Sequence, residues 1–193
     1  MATERGNRRQ RGRWVEGAGG LALALLLLAA APPARAETYD LVARYVLETV
    51  RAFRTAYVLH VVEHTREVGI AAKEDWVKNA HAIPLPAQFV KAAGSDLDSF
   101  EIGIVGLTPL YRANLPRTPA ETEALQKLMN DRSQRIVTFT DGNQFKAMAA
   151  DVAMVQSCAD CHNAHPESRW RNFKKGDVMG AIVVRLTRHE DRP

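Results

Sequence analysis

Two thiols and an imidazole dominate the chemistry that this chain can offer. Cys158-Ala159-Asp160-Cys161-His162 is a C-x-x-C-H run, and it contains both cysteines of the sequence. Each of two thiols three residues apart can form a thioether to one of the two vinyl groups of a haem. The His that follows then ligates the iron from the proximal side. Other chemistries compete for these residues. A structural disulfide between Cys158 and Cys161 suits an oxidising compartment. A thioredoxin-like pair needs a βαβ context, whereas this motif follows a hairpin pattern. A zinc site needs four ligands, and Cys158, Cys161, His162 and His165 crowd into eight residues instead of two separated pairs. Attachment of one haem c through Cys158 and Cys161, with His162 as proximal iron ligand, is favoured because a second feature agrees with it.

That feature is an export signal. An Arg-rich start is followed by an apolar run from Gly17 to Ala31, then Pro32, Pro33 and Ala34-Arg35-Ala36, which fits the small-x-small rule for cleavage after Ala36. The run is shorter than the ~20 residues of a spanning helix. The expected product is a periplasmic domain of residues 37–193, with no stable membrane span after cleavage. Covalent haem attachment also belongs outside the cytoplasm. Charge supports the division. The chain has 26 Lys and Arg against 22 Asp and Glu, a formal net charge of +4. Residues 1–36 hold six of the basic and two of the acidic residues, so 37–193 keep 20 of each. Nucleic acid is therefore excluded as a partner class, because the basic character belongs to the leader.

The elements that must position the motif follow from periodicity. Val42, Val46, Val50, Phe53, Tyr57, Val61 and Val68 fall on one stripe at helical spacing, which predicts a long helix from Tyr39 to about Val68, stopped by Gly69. Lys73 to Ile83 is polar and mixed. Pro84 and Pro86 open a short helix to about Ala93. Glu101 to Leu107 reads as a strand. Thr118 before Pro119, with Glu121 three residues after the cap, predicts a helix to about Asn130. Arg135–Thr140 and Gln144–Val155 flank Asp141-Gly142-Asn143, a hairpin signal. Val178 to Thr187 is a final strand. The class is α+β with an antiparallel sheet and a long N-terminal helix.

The second axial ligand decides between gas binding and electron transfer. His60, His64, His81, His165, His189, Met148, Met154 and Met179 are the candidates. His64 lies five turns after Val46, which puts it on the apolar stripe of the long helix, with His60 one turn earlier. His64 is the first choice for a distal metal ligand and His60 the second. Met148 and Met154 share a strand face and are expected in the core. His165 sits too near His162 to reach the opposite side of a haem. Arg169, Arg171, Lys174 and Lys175 are candidate partners for haem propionates. Trp170 and Phe173 could cover a haem edge.

Residues 158–186, ending in Gly176-Asp177-Val178-Met179-Gly180 and a last strand, resemble a Tll-like family of single-haem c-type sensor domains with a PAS-like fold. Ile83-Pro84-Leu85-Pro86 and Asn114-Leu115-Pro116 are similar too, and the likeness spans most of 39–187. It implies haem held between an antiparallel sheet and helices, and a role in redox or small-ligand sensing. A separate redox partner or signalling protein would read the change. A monohaem electron carrier is the alternative. An enzyme such as a small peroxidase is disfavoured, since no second haem motif and no distal acid–base pair is recognised.

Overall fold

The computed structural model describes residues 34–188. The export signal otherwise lies outside them, with only Ala34–Ala36 of the cleavage site inside the first helix. Helix α1 (Ala34–Tyr57) passes without a break into a π-helical turn (Val58–Val62) and then a short helix α2 (Glu63–Glu67). Gly69, at φ +83°, follows this composite rod. Strands β1 (Ala71–Lys73) and β2 (Ala82–Pro84) pair in parallel inside the stretch that carries no periodic signal. Helix α3 (Pro86–Ser95) starts where the prolines predict. Then come β3 (Phe100–Val105), α4 (Pro119–Asn130), the hairpin β4 (Ile136–Asp141) and β5 (Gln144–Val152), α5 (Gln156–Ala164) and β6 (Val178–Thr187).

The four longer strands form an antiparallel sheet in the order β3-β6-β5-β4. The chain is thus α+β with an N-terminal helix on an antiparallel sheet. Each face of the sheet buries its own core. Ala43 and Leu47 of α1 pack on Phe145, Ala147, Ala149, Ile182 and Val184. Ala124, Leu125 and Leu128 of α4 pack on Val137, Met148, Ala150, Ala181 and Val183 on the other side. The period of two along β5 and β6 assigns each side chain to one helix or the other.

The Gly-Asp-Val-x-Gly run has a structural cause. Gly176 sits at φ +94°, a conformation that costs any residue with a Cβ. A Cβ on Gly180 would fall 2.5 Å from the Val105 carbonyl oxygen, so β6 pairs this closely with the end of β3 only through glycine. Between them, the Asp177 carbonyl accepts from Ala153 N–H at 2.9 Å, and Gly176 N–H donates to the Ala153 carbonyl at 2.8 Å. These bonds fix the segment just ahead of α5 to the start of β6.

The rod departs from the expected stripe. Its buried residues are Ala43, Leu47, Arg54 and Val58, while Val42, Phe53, Val61 and Val68 are exposed. The π-helical turn adds a residue to one turn, so everything after it lags by about 100° behind uniform α-helical phase. His64 consequently faces solvent, as does His60 within the turn itself. Met148 is in the core as expected. Met154 lies beyond β5, past an irregularity at Asp151/Val152, so it does not share a strand face with Met148.

Candidate functional site

The C-x-x-C-H run forms α5, a helix whose only buried residue is Ala159. An isolated nine-residue helix with so little apolar surface is marginal, and its neighbours hold it. Ser157 Oγ donates to Glu63 Oε1 on α2 at 2.6 Å. At the other end, Asn163 exchanges two 2.9 Å bonds with the backbone of Phe173. Arg171 donates to the carbonyls of Asn163 (3.1 Å) and Pro166 (3.2 Å), satisfying groups at the helix C-terminus. His165, expected near the motif, follows the helix and pairs with Glu74 at 3.2 Å.

One helical turn brings Cys158, Cys161 and His162 to one side of α5, since residues three and four apart share a face. Both sulfurs are free thiols; Cys158 is half-buried and Cys161 reaches solvent. Surrounding protein still desolvates the Cys161 thiol and raises its pKa, with help from Cys158 and Glu74. His162 is half-buried against the edge of Phe173, ring centroids 5.9 Å apart. Desolvation lowers the His162 pKa; Asp151 opposes this, and Arg54 and His165 add to it. A neutral imidazole is the form that binds a metal.

Behind His162 lies a pair not foreseen from the sequence. Arg54 on α1 is 5% exposed, and its Nη2 lies 3.0 and 3.2 Å from the two oxygens of buried Asp151 at the end of β5. Burial pushes the Asp151 carboxyl up, against the pull of Arg54, His162 and Arg51. Arg54 Nε is buried and has no hydrogen-bond partner among the described residues. A usable signal exists in the sequence, for Arg54 falls at the 4-7-4 spacing of Ala43, Leu47 and Val58.

The remaining candidates are scattered. The His64 side chain is 75% exposed and its nearest charge is Glu67, at 3.9 Å. His60 and His81 are exposed, and Met179 is half-buried in β6. His189 lies outside the described residues. Among the described residues, no group of three or more His, Cys, Asp or Glu is placed to hold a bare metal ion. Arg169, Lys174 and Lys175 are exposed. Trp170 and Phe173 line a shallow cleft of about 190 Å³ with Met129, Arg132, Asp177 and Val178. That volume is below the ~300–1,000 Å³ of a typical ligand pocket. No described helix is long and apolar enough to cross a membrane.

No curated protein matches. Among solved structures, the crystal structure of the cyanobacterial heme-protein Tll0287 matches at 23% identity with a TM-score of 0.41. That match covers 52% of this chain and 66% of the other, just under two thirds of its length. The family model described as Tll0287-like matches residues 35–187, from the start of α1 to the end of β6, so the chain belongs to the Tll0287-like family.

Proposed function

We propose that this chain is a periplasmic single-haem c-type protein, and that the haem iron senses redox state or a small ligand. The observation that carries the reading is α5 itself, where Cys158, Cys161 and a neutral-leaning His162 share one side of a helix anchored at both ends. Membership of a family whose solved representative is titled a heme-protein supports it. The antiparallel sheet with helices on both faces supports the PAS-like reading of the fold.

The residues present fit the group. Cys158 and Cys161 would hold it through thioethers, and His162 would ligate the iron, which supplies one-electron and ligand-binding chemistry when bound. The unpartnered Arg54 Nε is a buried donor suited to a propionate. Buried Asp151, held by Arg54, lies near enough to His162 to oppose the loss of its proton. In the proposed site neither His60 nor His64 is a distal ligand, because both face solvent. An iron whose second position is open or exchangeable would favour sensing over electron carriage. Export through cleavage after Ala36 would place the thiols where haem c is attached.

Production with a haem-c maturation system tests this. A pyridine haemochrome spectrum of two thioethers is expected, changed in Cys158→Ala and in Cys161→Ala. Absence of covalent haem overturns the proposal. Carbon monoxide should change the optical spectrum of the reduced protein; no change would make the chain an electron carrier. His64→Ala should leave the oxidised spectrum as it is. An exported mass beginning at Glu37 checks the cleavage.

A further inference from the structure

Helix α1 carries two stripes with the same spacing. Ala43, Leu47 and Arg54, with Val58 of the π-helical turn that follows, are buried. Leu41, Tyr45, Ala52 and Ala56 repeat that 4-7-4 pattern two positions earlier, about 200° around the helix at 100° per residue, and all four are exposed. Apolar side chains broaden this outer stripe on one flank, where Val42 and Phe53 stand with Thr49 between them. Phe53 is 65% exposed and Tyr45 60%. A solvated helix presents polar residues on its outer side. A row of aromatic and aliphatic side chains there, four turns long, marks a contact surface.

We infer that a second copy of this chain covers the stripe, with the two α1 helices antiparallel about a two-fold axis near Thr49. The flanks select this occupant and direction. One flank is apolar (Val42, Phe53) and the other charged (Arg44, Glu48, Arg51). In an antiparallel pair each flank meets its own counterpart, whereas in a parallel pair each meets the opposite one. Antiparallel packing therefore sets apolar against apolar and leaves charge with charge. Around Thr49 the register is also self-complementary. Tyr45 and Phe53 stand four residues either side, so each meets the other from the second copy. Val42 likewise meets Ala56. Glu48 and Arg51 stand one before and two after, within reach of an opposite charge across the axis. Parallel packing would press Phe53 and Val42 against Glu48 and Arg51. Small Thr49, Ala52 and Ala56 near the axis allow the helices to approach closely. About 24 Å of helix is a short line of contact, so a weak, concentration-dependent dimer is expected.

Sedimentation velocity of the full chain, processed by its host, over about 1 to about 500 µM tests this. A monomer–dimer equilibrium is expected, weakened at least about tenfold by Phe53→Glu with an unchanged melting temperature. Glu48→Arg should weaken it, and Glu48→Arg with Arg51→Glu should restore it. A monomer at every concentration overturns the inference, as does a dimer indifferent to Phe53→Glu. Failure of the double swap to restore association overturns the antiparallel arrangement. Binding of phosphatidylglycerol vesicles by a monomer, lost in Phe53→Glu, would assign the stripe to a membrane surface instead.

Discussion

Two buried charge clusters lie on opposite faces of one sheet, and they are finished to different degrees. Under α4, the fully buried Glu121 carboxylate accepts from Arg185 Nε (2.7 Å) and Nη2 (2.9 Å), Lys146 Nζ (2.9 Å) and Arg117 N–H (2.9 Å). Lys146 reaches on to Asp141 at 2.7 Å, and Thr118 Oγ1 donates to the same carboxylate at 2.6 Å. Lys146 and Arg185 are register partners on β5 and β6, so the sheet itself holds the two cations side by side. Under α1, by contrast, Arg54 and Asp151 meet through Nη2 alone, and Arg54 Nε is left open. A closed network serves the fold. An open donor beside a candidate iron ligand is a reason to look for the group that would complete it.

Removal of one partner separates them most sharply. Glu121→Ala takes the shared carboxylate from two buried cations, leaving Lys146 with Asp141 and Arg185 with Glu101 at 3.8 Å, and should cost about 3–5 kcal/mol in urea unfolding. Arg54→Met should cost less, about 1–3 kcal/mol, because Asp151 is already pushed toward its neutral form and can take up a proton. Equal losses in the two variants would erase the distinction. The Arg54→Met loss should also grow as pH rises above the ordinary 3.8 of the Asp151 carboxyl. A carboxyl whose folded pKa is raised contributes its stability below its ordinary 3.8 and loses it as pH rises through the folded value.

Glu121 has the opposite sign. Burial alone would raise its pKa, but Arg185, the Arg117 N–H and Lys146 outweigh that and hold it at about 2, against an ordinary 4.5. Its contribution is full above 4.5 and lost as pH falls toward 2. Glu121→Gln should flatten the acid limb of a stability–pH curve over that interval. An unchanged limb would mean that other carboxylates govern acid unfolding.

What was legible in the sequence followed from local chemistry. The cap at Thr118, the hairpin around Gly142 and the C-x-x-C-H spacing each need only a few neighbouring residues. Gly176 and Gly180 could be noticed in the sequence, but their reason, a positive φ and a carbonyl 2.5 Å from an absent Cβ, appears only when β6 lies against β3. The charged pairs could not be read, because Arg54 and Asp151 stand 97 positions apart, and Arg185 and Glu121 64. Helix α5 has too little apolar periodicity to announce itself; its long-range ties to Glu63 and Phe173 accompany it. His64 was misplaced because a stripe drawn at uniform phase carries no π-helical turn.

The smallest effect probes where the closed cluster ends. Thr118 Oγ1 accepts from Glu121 N–H at 3.2 Å as the cap of α4, and its hydroxyl donates to Asp141. Thr118→Ala removes both, but Asp141 keeps Lys146. A loss of about 1 kcal/mol is expected, the ordinary worth of an N-cap. The bonds from Arg185, Lys146 and Arg117 to Glu121 should stand without Thr118, so the acid limb assigned to Glu121 should keep its position while the whole curve drops. A Thr118→Ala curve whose acid limb moves toward 4.5 would mean that the cap holds Glu121 in place, and the network would then extend from the buried cations to the first turn of α4.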